Sequence, residues 1–285
     1  MIKIDKSLLF VLLLFILSLI SYISGFILQE NSAGAGGYFG DFKNTWNNLS
    51  TFIENDILKA LSLTASGDMD YYKSSRPPLL YIINVLLNPF IISKQEFILS
   101  IFIFSFIIPT IYYFNIRSNL ANFDNKLILI ITSFIFLSPY FRTSAYWAGE
   151  ENYGLATSVI SLFLLNNIYN LKVIGFKKIL NYFALTFFSS LCVYFDQKLL
   201  IIPIITLLSI LFYEKENSYK YFTLVLFILF SLPYIYLLYL WDGILPPVDI
   251  ERTFSFHPEH AGYVSAILAF YIFPLIFFKK NRLVD

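Results

Sequence analysis

Apolar residues run along this chain in long stretches separated by short polar breaks. A bilayer-spanning helix needs about 20 mostly apolar residues, and candidates near that length occur at 7–28, 97–115, 126–141, 153–171, 178–195, 199–213, 219–240 and 261–278. A ninth run, 79–92, is shorter, follows Pro77 and Pro78 and contains Pro89. It reads as an interfacial or re-entrant segment, too short and too proline-rich to cross. A different period lies between the first two spans, where Phe42, Trp46, Leu49, Ile53, Ile57 and Leu61 recur at intervals of three or four. That spacing predicts an amphipathic helix over 42–62 lying on the membrane surface.

Composition agrees with the pattern and removes the main alternatives. Hydrophobic residues make up 58% of the chain and charged residues 14%, against about 25% charged in an ordinary soluble domain. A free soluble globule is excluded, and so is a disordered chain, which could not leave this much apolar surface in water. A formal charge of +1 with scattered Lys and Arg gives no field for nucleic acid. The one cysteine, Cys192, sits in an apolar run and can form neither an intrachain disulfide nor a cysteine metal cluster. The expected fold is an all-α integral membrane protein of about eight transmembrane helices, with interfacial helices in the first outer loop. It is expected as a single transmembrane domain over 1–285, in which 29–95 is that loop.

Sidedness follows from the basic residues. If 79–92 does not cross and the N-terminus is inside, the cytoplasmic side holds Lys3, Lys6, Arg117, Lys126, Lys172, Lys177, Lys178, Lys215, Lys220, Lys279, Lys280 and Arg282, or 12 of the 20 Lys and Arg. If it does cross, only Lys3, Lys6, Lys94, Arg142, Lys198 and Arg252 lie inside, or 6 of the 20. The first count predicts a multi-pass protein with both termini cytoplasmic, most simply in a bacterial plasma membrane. Lys3 and Lys6 before an apolar stretch also suggest a signal peptide, but 7–28 is longer than the ~7–15 residues of a signal core. An uncleaved first span is expected.

This topology gathers the unusual residues on the outer side. The first loop carries a Gly-rich approach, Gly34 to Gly40, leading to Asp41, and later Arg76-Pro77-Pro78-Leu79. Ser138-Pro139-Tyr140-Phe141-Arg142 precedes Trp147, Gly149, Glu150 and Glu151 at the start of a span. Asp196-Gln197-Lys198 joins two spans, and Trp241-Asp242-Gly243 opens a loop that holds His257 and His260.

In the order of these features the chain resembles the multispan glycosyltransferases of the C superfamily (GT-C), which use sugars activated on a polyprenyl or dolichyl phosphate. The later features are most similar to the dolichyl-phosphate-glucose α-1,2-glucosyltransferase branch. The chain departs from the family in having Phe42 where a second acid follows the first, and in being short. The resemblance implies an inverting sugar transfer with a polyprenyl-phosphate-linked sugar as donor and a lipid-linked glycan, cell-envelope polymer or protein as acceptor. It implies Asp41, Glu150 and Glu151 as candidate catalytic acids.

Each residue also has a simpler reading. Asp41 suits an N-cap of the interfacial helix, whereas catalysis needs a carboxylate to take the acceptor hydroxyl proton. Glu150 and Glu151 complement a helix dipole, although two acids beside Arg142 exceed what a helix start requires. Arg76, Arg142 and Lys198 fit a lipid phosphate or anionic headgroups of membrane lipids. Asp196, Gln197, His257 and His260 complete the candidate substrate-binding set. Pro258 between the histidines, with no cysteine nearby, leaves no metal or other cofactor expected. The competing functions are a transporter or flippase, which calls for polar or broken helices at mid-membrane, and a non-catalytic GT-C-like subunit.

Overall fold

The computed structural model describes residues 6–31, 37–66, 76–119, 124–170 and 175–243, all within one unit, 1–251. The expected span 261–278 and the residues His257 and His260 lie outside them, as do Gly34, Ala35 and Gly36 of the Gly-rich approach.

The described residues form helices and connecting turns. Helix α1, Lys6–Ile27, is followed by a π-helical turn, Tyr38–Phe42, that runs into α2, Lys43–Glu54, and α3, Ile57–Ser66. Then come α4, Leu79–Leu87, α5, Lys94–Ser105, and α6, Ile107–Asn119. Helix α7, Asn125–Ser133, passes through a 3-10 turn, Phe134–Leu137, into α8, Pro139–Tyr146. Helix α9, Glu151–Asn170, packs along much of α10, Phe176–Phe195, and a 3-10 turn, Gln197–Leu200, leads to α11, Ile201–Tyr213, and α12, Asn217–Trp241.

Four helices among the described residues are long and apolar enough to cross a membrane: Ser7–Ile27, Lys94–Ser118 (α5 and α6 together), Phe176–Phe195 and Asn217–Trp241. A fifth arises if α7 and α8 count as one span, broken by a bend of 56° between Leu137 and Pro139. The straight span expected at 126–141 is therefore a bent one. Pro139 supplies no N–H to continue α7, and Ser138 restarts the chain by capping α8, its Oγ accepting from the Phe141 N–H at 3.4 Å. Two further expected spans fall short of the same standard. Helix α9 is long enough but carries Asn152, Asn166 and Asn167, and α11 has 13 residues. The 79–92 run contains only the nine residues of α4, about 14 Å of helix, which agrees with a segment that does not cross.

The single helix expected over 42–62 is two. Asn55 ends α2 by turning its amide onto the Thr51 carbonyl at 3.0 Å, and Asp56 starts α3 by accepting the Lys59 N–H at 3.0 Å. The pair is also more buried than a surface-lying helix. Phe42, Leu49 and Phe52 are enclosed in the protein core while Ile53, expected on the apolar stripe, is 44% exposed.

The core nearest the site is aromatic. Tyr22 of α1 stacks on Phe102 and Phe141, Phe26 stacks on Phe102 at 3.9 Å, and Tyr146 donates to the Tyr22 carbonyl at 2.6 Å. Gly25 permits this approach, since a Cβ there would stand 2.6 Å from the Tyr146 hydroxyl. The end of α1 is thereby clamped to α5 and α8.

Candidate functional site

The turn between α8 and α9 carries the acid pair, and its shape is imposed from within. Ala148 is wholly buried with φ 54°, a left-handed conformation that costs a residue with a Cβ roughly 1–2 kcal/mol. Ser144 holds the turn from below: its Oγ donates to the Gly149 carbonyl at 3.0 Å and accepts the Asn152 N–H at 3.0 Å. Gly149 leaves room for Glu151 to fold back, because a Cβ at 149 would lie 2.3 Å from Glu151 Oε2. The turn therefore presents Glu150 and Glu151 together.

Arg76 meets both. Its Nη1 donates to Glu150 Oε1 and to Glu151 Oε1, and it reaches them from its place directly before Pro77 and Pro78, which restrict the backbone ahead of α4. Burial works against its charge, but Glu151, the bond to it and Asp196 outweigh burial and hold the guanidinium more firmly protonated than usual. Asp196, 2% exposed at the end of α10, accepts the Tyr140 hydroxyl at 2.8 Å.

Asp41 completes the group. It lies inside the π-helical turn, one residue before Phe42, the residue that stands at the N-cap of α2 without a side-chain cap bond. The capping role is therefore not what places this acid. Asp41 is half-buried, and among the described residues no ion pair binds its carboxylate. Burial pushes its affinity for a proton above that of an ordinary aspartate, the Glu151 charge pushes it further, and Arg76 pulls the other way. Four carboxylates from three separate stretches of chain thus share one arginine.

The other expected residues go elsewhere. Arg142 is consumed structurally: Nε donates to the Phe136 carbonyl at 2.7 Å, Nη1 to Glu30 at 2.7 Å and Nη2 to Ser21 at 2.6 Å. It ties the bend at Ser138 to the end of α1 and is not presented to a phosphate. Lys198 is exposed and, with Gln197, lies against a groove between α10 and α12. Trp241-Asp242-Gly243 is the stop of α12: Asp242 takes the left-handed conformation and the Gly243 N–H returns to the Leu238 carbonyl at 3.2 Å, a helix-ending arrangement. Tyr140 is the site residue that sequence reasoning passed over. Its signal was its place directly after Ser138-Pro139, where a chain break aims a side chain toward neighbouring elements.

Two grooves flank α4. One, about 440 Å³, is walled by α3, α4, α10 and α12 and begins at Pro78 and Leu79 beside Arg76. The other, about 530 Å³, lies between α4 and α5 and reaches Tyr153, two residues past Glu151. Among the described residues no group of three or more His, Cys, Asp or Glu is arranged to hold a metal ion. Compared with known proteins, the chain matches no family model, no curated protein and no solved structure.

Proposed function

We propose that this chain is an integral membrane glycosyltransferase of GT-C-like fold, with eight spans, both termini cytoplasmic, and its reacting site at the outer membrane face. It moves a sugar from a polyprenyl-phosphate donor to a lipid-linked glycan, cell-envelope polymer or protein. The observation that carries the reading is the gathering of Asp41, the Glu150–Glu151 pair and Asp196, from three distant stretches of sequence, around Arg76.

In this reading Asp41 is the base. It takes the proton of the acceptor hydroxyl as that oxygen bonds to the sugar C1, and the C1–O bond to phosphate breaks on the opposite face, releasing polyprenyl phosphate. Its raised proton affinity moves it toward working pH, the direction a base needs. Glu150 and Glu151, engaged by Arg76, form a fixed acceptor array for sugar hydroxyls. The groove that begins at Pro78 suits the apolar chain of a lipid-borne donor. Arg76, committed to two glutamates, fixes that array and is not turned toward the leaving phosphate.

The transporter reading has one observation in its favour, the bent α7–α8 pair with buried Arg142 near the break. Arg142, however, is bonded through all three of its nitrogens, which suits a fixed joint better than a moving gate.

Incubating the purified protein with a panel of radiolabelled polyprenyl-phosphate sugars tests the proposal, with transfer or hydrolysis of one member expected. Cysteine accessibility at residue 43, exposed at the start of α2, and at residue 285 tests the topology, with the two expected on opposite sides of the membrane. Labelling from the same side would overturn the eight-span arrangement.

A further inference from the structure

Asp196 and Lys198 are two residues apart but face different neighbours. Asp196 is turned toward α8 and α9: Tyr140 bonds it, and a Cβ at Gly154 would stand 3.6 Å from its own Cβ. Its Oδ1 also accepts the Lys198 N–H at 3.0 Å, which fixes the 3-10 turn and carries Lys198 to the α12 side of α10. There Lys198 and Gln197 border a groove of about 450 Å³ walled by Val193, Pro203, Phe227 and Leu238. Among the described residues no carboxylate pairs with Lys198.

The groove lies between α10 and α12, both long and apolar enough to cross a bilayer. Lys198 comes three residues after Phe195, the end of α10, the level at which headgroups meet a spanning helix. We propose that this groove binds an anionic diacyl phospholipid of the surrounding bilayer, its phosphate at Lys198 and Gln197 and one acyl chain along the groove. The inference rests on the membrane part of the reading above and not on sugar transfer. The donor lipid is the wrong occupant, because its phosphate has to face the carboxylates on the other side of α10.

The bound lipid would brace a weak seam. Pro233 inside α12 removes one N–H from its ladder, and beside it the Tyr194 hydroxyl donates to the Phe230 carbonyl at 2.5 Å and accepts the Tyr234 N–H at 3.0 Å. Tyr194, Phe230 and Tyr234 all line the groove. A lipid held there contacts the joint between α10 and α12, so its binding stabilises the native fold.

The test is thermal unfolding of the full chain in nonionic detergent, titrated with phosphatidylglycerol, phosphatidylcholine and polyprenyl phosphate in parallel. A saturable rise in Tm with phosphatidylglycerol alone is expected. Lys198→Gln should weaken that dependence roughly fivefold, the effect of one basic contact with an anionic headgroup, and Lys198→Arg should restore it. Ser231→Trp should abolish it by filling the groove. Ser231 is exposed and bonds only within its own helix, to the Ile228 carbonyl, so the lipid-free protein should remain folded. An equal rise with phosphatidylcholine, an undiminished response in both Lys198→Gln and Ser231→Trp, or a Lys198-dependent response to polyprenyl phosphate alone would overturn the proposal. Failure of the sugar-transfer assay leaves these outcomes unchanged, so the two readings fail separately.

Discussion

Helix α10 carries a polar cluster at each end, about 27 Å apart at ~1.5 Å per residue, and the two are built on opposite plans. At the Lys178 end, Lys178 pairs with Glu216 at 2.9 Å and Glu214 at 3.4 Å and stands 4.0 Å over the Tyr219 ring, while the Tyr182 hydroxyl donates to Glu214. Each charged group there has a partner of opposite sign or a donor. At the Asp196 end, four acids share Arg76, and the turn that presents two of them contains a strained Ala148 and a glycine with no room for a Cβ. The first arrangement joins α10 to the α11–α12 turn and needs no further explanation. The second, among the described residues, sets four acids around one arginine in partly buried surroundings, the arrangement the proposed base requires.

Substitutions at the two ends should separate these plans. The largest effect is expected for Arg76→Met, which leaves Glu150, 4% exposed, beside Glu151 without its cation. Unfolding in detergent should register a loss of about 3 kcal/mol, the cost of leaving the buried Glu150 carboxylate without its cation. Adding Glu150→Gln should recover much of it. If Arg76→Met costs nothing, the acid cluster is not held as described.

Gly149→Ala should come next, costing ~1–3 kcal/mol through overpacking, because the new Cβ meets the Glu151 carboxylate and the Ser144 backbone. Transfer activity should fall with it as Glu151 is displaced. A variant with undiminished transfer would remove Glu151 from the site.

Glu151→Gln gives a subtler readout. The Glu151 charge raises the proton affinity of Asp41, so its removal should move the acid limb of the pH–rate profile to lower pH. A shift to higher pH would contradict the electrostatic link between the two.

The smallest effect is expected at the other end. Glu214 is held below the usual carboxylate range: burial alone would raise it, but the Tyr182 hydroxyl, the Glu216 N–H and Lys178 together prevail. A depressed carboxyl contributes stability above its unfolded value, and that contribution disappears as pH falls through the folded one. Glu214→Gln should therefore lower Tm slightly at neutral pH, by an amount equivalent to ~1 kcal/mol or less, and match the parent in acid. Sugar transfer should not change.

The long spans were legible because hydropathy alone decides them: α1, α10 and α12 begin and end within a few residues of the expected limits. The breaks were less legible, although their agents are visible in retrospect. Asn55-Asp56 and Ser138-Pro139 are local hydrogen-bonding and proline signals that a run of apolar residues overrides in a pattern count. Topology points to the acids as one group on the outer side, and Arg76 bonds Glu150 and Glu151 while Asp41 and Asp196 lie within its electrostatic reach. What sequence could not reveal was the use made of each cation. Arg142 is claimed by Glu30 and Ser21 through contacts more than a hundred residues distant, and the face on which Lys198 emerges depends on the turn that Asp196 fixes.

The central claim, that Asp41 is the base of a single reacting site, is tested most directly by Asp41→Asn, with transfer and stability measured on the same preparation. Asparagine keeps the shape but cannot take a proton, so transfer should fall ~10²-fold or more. Stability should not suffer. A carboxyl whose proton affinity is raised on folding costs stability once pH passes above its ordinary value of 3.8 and it is forced to ionise. The variant should therefore unfold at the same temperature as the parent or a higher one at neutral pH. Near-full transfer by Asp41→Asn, in a preparation where Glu150→Gln or Glu151→Gln is inactive, would contradict the account and move the base to the glutamate pair.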